Sequence, residues 1–326
     1  MRIALIGNTQ AQAERLRRLL PFEADILLDD ADRASRNAPL EVDVALSIRF
    51  TGADAAAVHC RLLHCSGAGT DAISFADLPR GVTVCNVYEH EAPIAEYVLA
   101  GILDHEIGLA RAVAAFSGEQ WGAQFRGRIP HGEAMGKTVG IVGMGRIGKG
   151  IAVRARAFGM RIIGINRSGR PVPEADEMFS FERPQGLFER ADYVVLACPL
   201  TEETRGMVGA EAFARMKPTA LLINVARGEV VDEAALHAAL TTKRIAGALL
   251  DTWYDYPTAA LPNPLPSRLG LERLEGVRAT PHIAGWTTGL AERRYRFIAE
   301  NLGRFARGEK LLNVVWRDGA PAEGGA

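Results

Sequence analysis

The sequence is poor in cysteine, and the few cysteines it has are irregularly spaced. Its 326 residues include four, which are Cys60, Cys65, Cys85 and Cys198, each in an apolar context. A secreted scaffold held together by disulfides needs a denser and more regular set. We therefore exclude a disulfide framework and expect a protein of a reducing compartment, the cytoplasm.

Charge of one sign and long apolar runs are missing as well. Lys and Arg number 38 against 39 Asp and Glu, and the formal net charge is -1. Such a balance gives no electrostatic reason to expect a nucleic acid or a membrane as a partner. The opening MRIALIGN is too short, and wrongly flanked, for a signal peptide or a membrane helix. We therefore expect a small-molecule partner.

One short segment, HCRLLHC at residues 59–65, carries residue types that bind zinc. Thiolate and imidazole are usual zinc ligands. Alternation along a buried strand, however, would turn His64 and Cys65 to opposite faces. We interpret the segment as a strand that enters a loop, and we expect no metal.

What the sequence does contain is a series of short apolar runs that alternate with helical patterns. At about 150 residues per domain, its length predicts about two domains. From residue 137 onward the predicted strands are KTVGIVG, RIIGIN, DYVVLACP, ALLINVA, IAGALLD and GVRATP. Because parallel neighbours need a covering segment between them, these runs predict a doubly wound parallel sheet. MRIALIG, VDVALSI, RLLHCSG and VTVCNV predict a second, earlier α/β unit.

The sequence GMGRIG lies where a predicted strand meets a predicted helix. Gly143 permits a tight turn, Gly145 lets a pyrophosphate approach the backbone, and Gly148 lets the helix pack close to the strand. The amides at the start of that helix would face the phosphates. A glycine-rich turn without a ligand is the alternative. The strand before it, the helix after it and the next strand favour a Rossmann-type dinucleotide site.

The end of the strand RIIGIN predicts which nicotinamide cofactor binds. NAD-binding proteins place an acidic residue here, which holds the adenosine ribose. This chain has Asn166 instead, followed by Arg167, Ser168 and Arg170. A carboxylate would repel a 2′-phosphate, whereas two arginines offer it forked donors. We therefore predict NADP(H) in preference to NAD(H), with a solvated basic loop as the alternative.

Two further motifs, NVARGEVVDEAAL and TPHIAGWTTG, follow predicted strands. Groups at the carboxyl ends of parallel strands project into the crevice where such sheets bind ligands. Together with GMGRIG, DYVVLACPLTEETRG and ALLDTW, these motifs resemble the D-isomer-specific 2-hydroxyacid dehydrogenase family, in particular its glyoxylate and hydroxypyruvate reductases. The resemblance extends over nearly the whole chain, from SGAGTD near residue 69 to ENLGRFARGEKLLNVV.

The resemblance implies roles for individual residues. Arg227 would grip the carboxylate and carbonyl of a 2-oxo acid, and His282 would exchange a proton as hydride moves to or from the nicotinamide. A forked guanidinium suits such a substrate, and an imidazole titrates near neutrality. Backbone amides of Ala68 and Gly69 would bind the substrate carboxylate, with Arg49 a candidate for the distal end. Expected cofactor contacts are Gly143, Gly145, Arg146, Ile147, Gly148, Asn166, Arg167, Ser168, Arg170, Pro199, Thr204, Val225, Ala226 and Asp251, the last of which would hold the nicotinamide carboxamide.

The chain departs from the family at one place. There the family has a DVFEEEP-like stretch, whose glutamate orients and charges the histidine, and this chain has DTWYDYP. Tyr256 takes the place of the glutamate, with Asp255 beside it. Formate dehydrogenases also lack the glutamate, but they carry an asparagine where this chain has His90. Formate is therefore not favoured as the substrate.

The resemblance also implies an organisation and a partner. We predict an α/β fold of two doubly wound parallel-sheet domains. A Rossmann domain for NAD(P), residues 99–288, would be inserted into a smaller, flavodoxin-like substrate domain formed by residues 1–98 and 289–326. A homodimer is implied through the long helix and the Trp121 loop at residues 101–135. Two alternatives stay open, a cofactor-sensing or interaction protein on the same fold, and a dehydrogenase of an unusual substrate such as a phosphorylated hydroxyacid or an inorganic donor.

Overall fold

A computed structural model describes residues 1–29, 38–258 and 260–322 of the chain. The chain divides into two compact units, Met1–Glu89 with Thr288–Ala326, and His90–Thr287. The predicted boundary between residues 98 and 99 falls inside a helix, Glu91–Ile107, and the observed division precedes that helix. Residues 30–37 and 323–326, which the domain prediction includes, lie outside the described residues.

The predicted apolar runs form short, mostly buried strands. In chain order the strands are β1 Arg2–Ile6, β2 Asp25–Asp29, β3 Leu40–Glu41, β4 Val44–Ser47, β5 Val58–His59, β6 Leu62–Cys65, β7 Thr83–Cys85, β8 Thr138–Val142, β9 Arg161–Asn166, β10 Glu177–Ser180, β11 Tyr193–Leu196, β12 Leu221–Asn224, β13 Gly247–Leu250, β14 Val277–Ala279, β15 Val314–Arg317 and β16 Ala320–Pro321. The α-helices are α1 Ala13–Leu19, α2 Gly52–Ala57, α3 Glu91–Ile107, α4 Leu109–Ala115, α5 Trp121–Arg126, α6 Arg146–Ala157, α7 Gln185–Arg190, α8 Ala210–Arg215, α9 Glu233–Thr241 and α10 Leu290–Ala306. None of the described helices is both long enough and apolar enough to span a membrane.

The first unit contains a sheet whose parallel strands run in the order β2, β1, β4, β6, β7. This is the doubly wound order of flavodoxin-like folds, as predicted. Beyond β7 the sheet is extended by β15 and β16, which pair antiparallel. The parallel-sheet prediction therefore holds for the part of this sheet formed by the N-terminal segment, and the returning C-terminal segment adds the antiparallel edge. Alternate residues of the central strands fill one apolar cluster on each face.

The second unit contains an all-parallel sheet in the order β10, β9, β8, β11, β12, β13, β14. The strand order reverses at β8, which is the arrangement of the Rossmann fold. The six predicted strands are β8, β9 and β11 to β14. The prediction missed β10, whose sequence EMFS is half-buried at the sheet edge and has no continuous apolar run. Strand burial follows the prediction, because two apolar clusters cover the two faces.

The histidine of the candidate metal segment is a structural residue. His64 is fully buried in β6, and its Nδ1 donates to the carbonyl oxygen of Cys65 at 3.1 Å. Its Nε2 therefore accepts from Asn301 Nδ2, at 3.2 Å. Burial lowers the pKa of His64 to about 4, so the ring is neutral under ordinary conditions. Among the described residues, no group of three or more His, Cys, Asp or Glu side chains could hold a metal ion.

Candidate active site

The glycine-rich turn joins β8 to α6, and two of its glycines are required by close packing. Gly143 has a φ of 102°, and a Cβ there would lie 2.6 Å from the backbone nitrogen of Cys198. A Cβ on Gly148 would lie 2.1 Å from the carbonyl oxygen of Gly143. Real side chains do not reach such distances, so glycine at position 143 permits the close approach of the segment after β11, and glycine at position 148 permits the close approach of α6 to the turn.

Gly145 is free of packing constraints. No atom lies within 4 Å of a Cβ built on this residue, which caps the start of α6 without a side-chain hydrogen bond. The first helical turn, which includes Arg146 and Ile147, therefore begins beside open space. Helix N-termini attract phosphate through their amides and the helix dipole. The start of α6 therefore has room and uncapped amides for the pyrophosphate of a dinucleotide, at the position where Rossmann sheets bind one.

The loop after β9 is shaped by Asn166. The side-chain Nδ2 of Asn166 donates to the carbonyl oxygen of Arg170 at 2.9 Å, and its Oδ1 accepts from the amide of Ser168 at 3.2 Å. Asn166 is half-buried, whereas Arg167, Ser168 and Arg170 are exposed. Arg167 lies 3.4 Å from a carboxylate oxygen of Glu203, on the loop after β11. The predicted ribose end of the site thus presents an amide, two exposed arginines and one neighbouring carboxylate.

Four other predicted cofactor residues lie on the loops after β11 and β12. The hydroxyl of Thr204 donates to the carbonyl oxygen of Pro199 at 2.7 Å and accepts from the amide of Thr201 at 2.8 Å. Thr204 is only 1% exposed, so its side chain closes the loop internally. Val225 and Ala226 are buried at the end of β12. Contact of these residues with a cofactor stays a prediction.

Arg227 directly follows this buried turn, and its backbone is held by the preceding asparagine. Asn224 Nδ2 donates to the carbonyl oxygen of Arg227 at 2.9 Å, and Asn224 Oδ1 accepts from the amide of Ala226 at 3.0 Å. A Cβ on Gly228 would lie 2.4 Å from the carbonyl oxygen of Trp253. The loop of Arg227 therefore packs against the segment that leads to Tyr256.

Tyr256 and His282 are hydrogen-bonded partners. The Tyr256 hydroxyl lies 2.9 Å from His282 Nδ1, and it accepts from the amide of Trp253 at 3.2 Å. Burial raises the pKa of Tyr256, outweighing the lowering effects of the Trp253 amide and the Arg227 charge. The neighbouring Asp255 turns elsewhere, because its carboxylate lies 3.3 Å from Arg268 Nε. Tyr256 thus lies beside His282, and a catalytic role for the pair stays a prediction.

Asp251 is a buried carboxylate that its own chain surrounds with donors. It follows β13, between the loops that carry Arg227 after β12 and His282 after β14. Its carboxylate accepts from the hydroxyl of Thr280 and from the amides of Ile283 and Ala284, at 2.6 to 2.9 Å. The predicted bond to a nicotinamide carboxamide would be a further one and stays a prediction.

The predicted substrate residues of the first unit lie at the carboxyl edge of its sheet. Arg49 is exposed after β4, and Ala68 and Gly69 lie in the loop after β6. Asn86 Nδ2 donates to the carbonyl oxygen of Ala68 at 2.8 Å, which fixes the loop. The amide of exposed Gly69 belongs to the same turn. Their part in substrate binding stays a prediction.

Sequence reasoning missed the residues that hold these loops. The sequence motifs around the site contain Asn224, Gly228 and Thr280, but no role was predicted for them. Trp253 Nε1 donates to the carbonyl oxygen of Thr280 at 2.8 Å. A strand-terminal asparagine two residues before a buried amide is a recognisable turn signal. No local signal points to Tyr97, on α3, whose hydroxyl meets Thr280 from 183 positions away in the chain.

The doubly wound sheet and its glycine turn define a protein with a Rossmann-type dinucleotide-binding domain. The family described as D-isomer specific 2-hydroxyacid dehydrogenase, NAD binding domain, matches residues 99–284. The chain therefore belongs to the D-isomer-specific 2-hydroxyacid dehydrogenase family, which confirms the resemblance and the predicted fold class.

Individual relatives show how far the similarity extends. Over 183 residues the chain is 43% identical to the glyoxylate reductase of Thermococcus kodakarensis, covering 56% of this chain and 53% of that protein. Over 261 residues it is 33% identical to the D-3-phosphoglycerate dehydrogenase of Methanocaldococcus jannaschii, covering 79% and 48%. The chain thus spans about half the length of these curated relatives. A D-isomer specific 2-hydroxyacid dehydrogenase from Xanthobacter autotrophicus Py2, solved in complex with NADPH and MES, matches with a TM-score of 0.78 at 29% identity, over 96% of this chain and 97% of that one.

Proposed function

We propose that the chain is an NADP(H)-dependent reductase of a small 2-oxo acid of the glyoxylate or hydroxypyruvate type, with the reverse oxidation also possible. The observation that carries the proposal is the placement of Arg227 and His282 after β12 and β14, on either side of β13, with His282 oriented by Tyr256. The 43% sequence identity to a glyoxylate reductase over 183 residues supports the proposed substrate class. The cytoplasm is the proposed location.

The proposed mechanism divides the work between the two side chains. When bound, the nicotinamide supplies the hydride that reduces the carbonyl carbon. Arg227 binds the substrate carboxylate with its forked donors and stabilises the negative charge that grows on the carbonyl oxygen. Because His282 Nδ1 is bonded to Tyr256, the proton that this oxygen receives comes from Nε2. In the oxidative direction Nε2 takes the proton back.

A panel of 2-oxo acids, each assayed with NADPH and with NADH, tests this function. Turnover of glyoxylate or hydroxypyruvate supports it. Tight binding of the nucleotide without turnover of any 2-oxo acid would favour a cofactor-sensing protein, the alternative suggested by the missing glutamate. Turnover of a phosphorylated hydroxyacid alone would overturn the proposed substrate class and keep the reaction.

The loop after β9 supports the preference for NADP(H). Asn166 brings no negative charge to the ribose end, and Arg167 and Arg170 are exposed beside it. To bind a 2′-phosphate, Arg167 would have to give up all or part of its ion pair with Glu203. Both side chains of this pair are exposed, at 76% and 55%. Such a surface pair is worth about 0 to 1 kcal/mol, less than the about 1.5 to 3 kcal/mol of a charge-assisted phosphate contact. The structure with NADPH from Xanthobacter autotrophicus supports the same preference.

We expect the wild-type chain to bind NADPH about 10- to 100-fold more tightly than NADH, and Asn166→Asp to reverse this preference. The aspartate would repel the 2′-phosphate and accept from the ribose hydroxyls of NADH. Fluorescence titration of both nucleotides without substrate measures the effect. Arg161→Gln, at the other end of β9, serves as the control for lost charge near this strand and should leave the preference unchanged. Equal or tighter binding of NADH by the wild-type chain would contradict the assignment.

We further propose that the enzyme is a homodimer, with the second copy covering the segment from α4 to residue 129. Its large apolar side chains that are 51% to 88% exposed are Leu109, Val113, Phe116, Trp121, Phe125 and Ile129. Trp121 lies 6.1 Å from Phe116 and 5.3 Å from Phe125, between ring centres. Soluble monomers rarely expose contiguous apolar surface of this kind.

Trp121→Glu should convert the dimer to a monomer. A charge buried without a partner at an interface costs about 3 to 5 kcal/mol, which weakens association about 100-fold or more. Sedimentation velocity at several concentrations measures the change. Phe158→Glu, at a 46% exposed phenylalanine after α6, is the matched control and should stay dimeric. A wild-type monomer would contradict the dimer, and a dimeric Trp121→Glu variant would contradict this interface.

A further inference from the structure

The histidine with the proposed acid–base role has an unusual backbone. His282 has a φ of 58°, in the left-handed region that residues other than glycine rarely adopt. Such a conformation is strained and persists only where the surrounding structure holds it. The neighbours of His282 must therefore hold this loop in place.

Asp251 provides the nearest support. Its carboxylate accepts from the amides of Ile283 at 2.8 Å and Ala284 at 2.9 Å, the two residues that follow the histidine. It also accepts from the hydroxyl of Thr280, two residues before the histidine, at 2.6 Å. Hydrogen bonds to a charged acceptor are about twice as strong as neutral ones, and this carboxylate is shielded from water. Asp251 thus holds the chain on both sides of His282.

Tyr97, on α3, extends this support by one step. Its hydroxyl lies 2.6 Å from Thr280 Oγ1. Because Thr280 gives its own hydrogen to the Asp251 carboxylate, the Tyr97 hydroxyl must be the donor in this pair. Burial raises the pKa of Tyr97 to about 12, so the hydroxyl keeps its hydrogen across the neutral range. A directed series of hydrogen bonds therefore runs from Tyr97 through Thr280 to Asp251.

We propose that Tyr97 is a positioning residue for His282, acting through Thr280 and Asp251. The inference rests on the proposed acid–base role of His282. Without the tyrosine hydroxyl, Thr280 Oγ1 loses the donor that fixes its rotamer, and its bond to Asp251 weakens. His282 then samples more positions relative to Tyr256 and the substrate. Loss of orientation lowers kcat, whereas the glycine turn that would bind the nucleotide is untouched.

A double-mutant cycle on Tyr97→Phe and Thr280→Val tests the proposal. Tyr97→Phe should lower kcat about 3- to 10-fold, the effect of one neutral hydrogen bond. Thr280→Val should cost more, because it also removes a donor to Asp251. The double variant should be no slower than Thr280→Val alone, since both changes break the same series. The dissociation constant of NADPH, titrated without substrate, should stay within about twofold in Tyr97→Phe, which leaves every donor to the Asp251 carboxylate in place.

Two variants separate positioning from general damage. Tyr193→Phe makes the same chemical change at the start of β11, where the hydroxyl donates to Glu106 at 2.6 Å. It should leave kcat unchanged even if the melting temperature falls. Thr280→Ser keeps the hydroxyl and should retain kcat close to the wild-type value. An additive cycle, or a kcat in Tyr97→Phe equal to that of the wild type, overturns the proposal.

A readout without turnover keeps the inference distinct from the proposed function. In ¹H–¹⁵N spectra of the chain alone, the ring signals of His282 can be assigned by their loss in His282→Asn. They should shift in Tyr97→Phe and stay in place in Tyr193→Phe. If the wild type turns over no 2-oxo acid, the proposed function fails and these spectra still test the coupling. Unshifted His282 signals in Tyr97→Phe overturn the inference alone.

Discussion

Replacing Arg227 with lysine is expected to lower kcat about 100- to 1000-fold and to leave the affinity for NADPH within about twofold. Lysine keeps the positive charge but presents one compact ammonium in place of a planar fork. The proposed mechanism needs both arms, one on the carboxylate and one beside the oxygen on which charge develops. Because Arg227 also holds the substrate carboxylate before the reaction, KM for the 2-oxo acid should rise as well, and the fall in kcat measures the part of the interaction made only in the transition state.

The surroundings of Arg227 make this substitution a clean test. Its backbone is fixed by Asn224 and by the close approach of Gly228 to Trp253, and a lysine can replace the hydrogen bond that Arg227 Nη1 donates to the carbonyl oxygen of Ala226 at 2.8 Å. Arg205→Lys is the matched control, because Arg205 is an exposed arginine that pairs with Glu229 at 3.2 Å on the neighbouring loop. Steady-state rates and nucleotide titrations on both variants measure the change in kcat and in NADPH affinity, and Arg205→Lys should change neither. Near-normal turnover in Arg227→Lys would remove Arg227 from the reaction.

Much of the fold was predictable from local patterns. Buried strands such as β11 and β12 are continuous apolar runs. A strand in a parallel sheet is covered on both faces, so its side chains must be apolar on both faces. β2 and β10 escaped prediction for the opposite reason, because DILLD and EMFS are short and partly polar edge strands. The sheet neighbour that makes such a segment a strand is remote in the sequence, so propensity alone does not find it.

In the candidate site, too, local motifs could be predicted from the sequence, whereas contacts between separate elements could not. The glycine turn, Asn166 and the loops after β12 and β14 were visible because each is a local motif at a strand end. The support of His282 was not visible, because it joins Tyr97, Asp251 and Thr280 from three separate elements. The carboxylate of Asp251 was assigned to a cofactor, yet three of its hydrogen bonds go to its own chain. Contacts of this kind depend on tertiary packing, which a motif does not encode.

The pairing of Tyr256 with His282 sets the charge of the proposed active site. The burial that raises the pKa of Tyr256 keeps its hydroxyl neutral near pH 7, so no negative charge lies at this position beside the imidazole. The charged residues that act on Tyr256 are Arg227, Asp251 and Glu229. A neutral partner orients the ring without stabilising its protonated form, whereas the glutamate of other family members would do both.

Tyr256→Glu should raise the pH at which reduction fades by about 1 unit, the low end of the shift expected from a carboxylate beside an imidazole, since position 256 is 41% exposed. Reduction needs the protonated ring and is lost as pH rises through the pKa of His282, so a raised pKa extends reduction upward. Oxidation needs the neutral ring and should therefore begin at a higher pH in the variant than in the wild type. Profiles of kcat/KM against pH, recorded for reduction and for oxidation, measure the two limbs, which are the fall of reduction and the rise of oxidation with pH.

Tyr256→Phe removes the hydrogen bond without adding charge, so it should lower kcat with little movement of either limb. Asp255→Asn should move neither, because that carboxylate faces Arg268. Unmoved limbs in Tyr256→Glu would show that position 256 does not govern the protonation of His282.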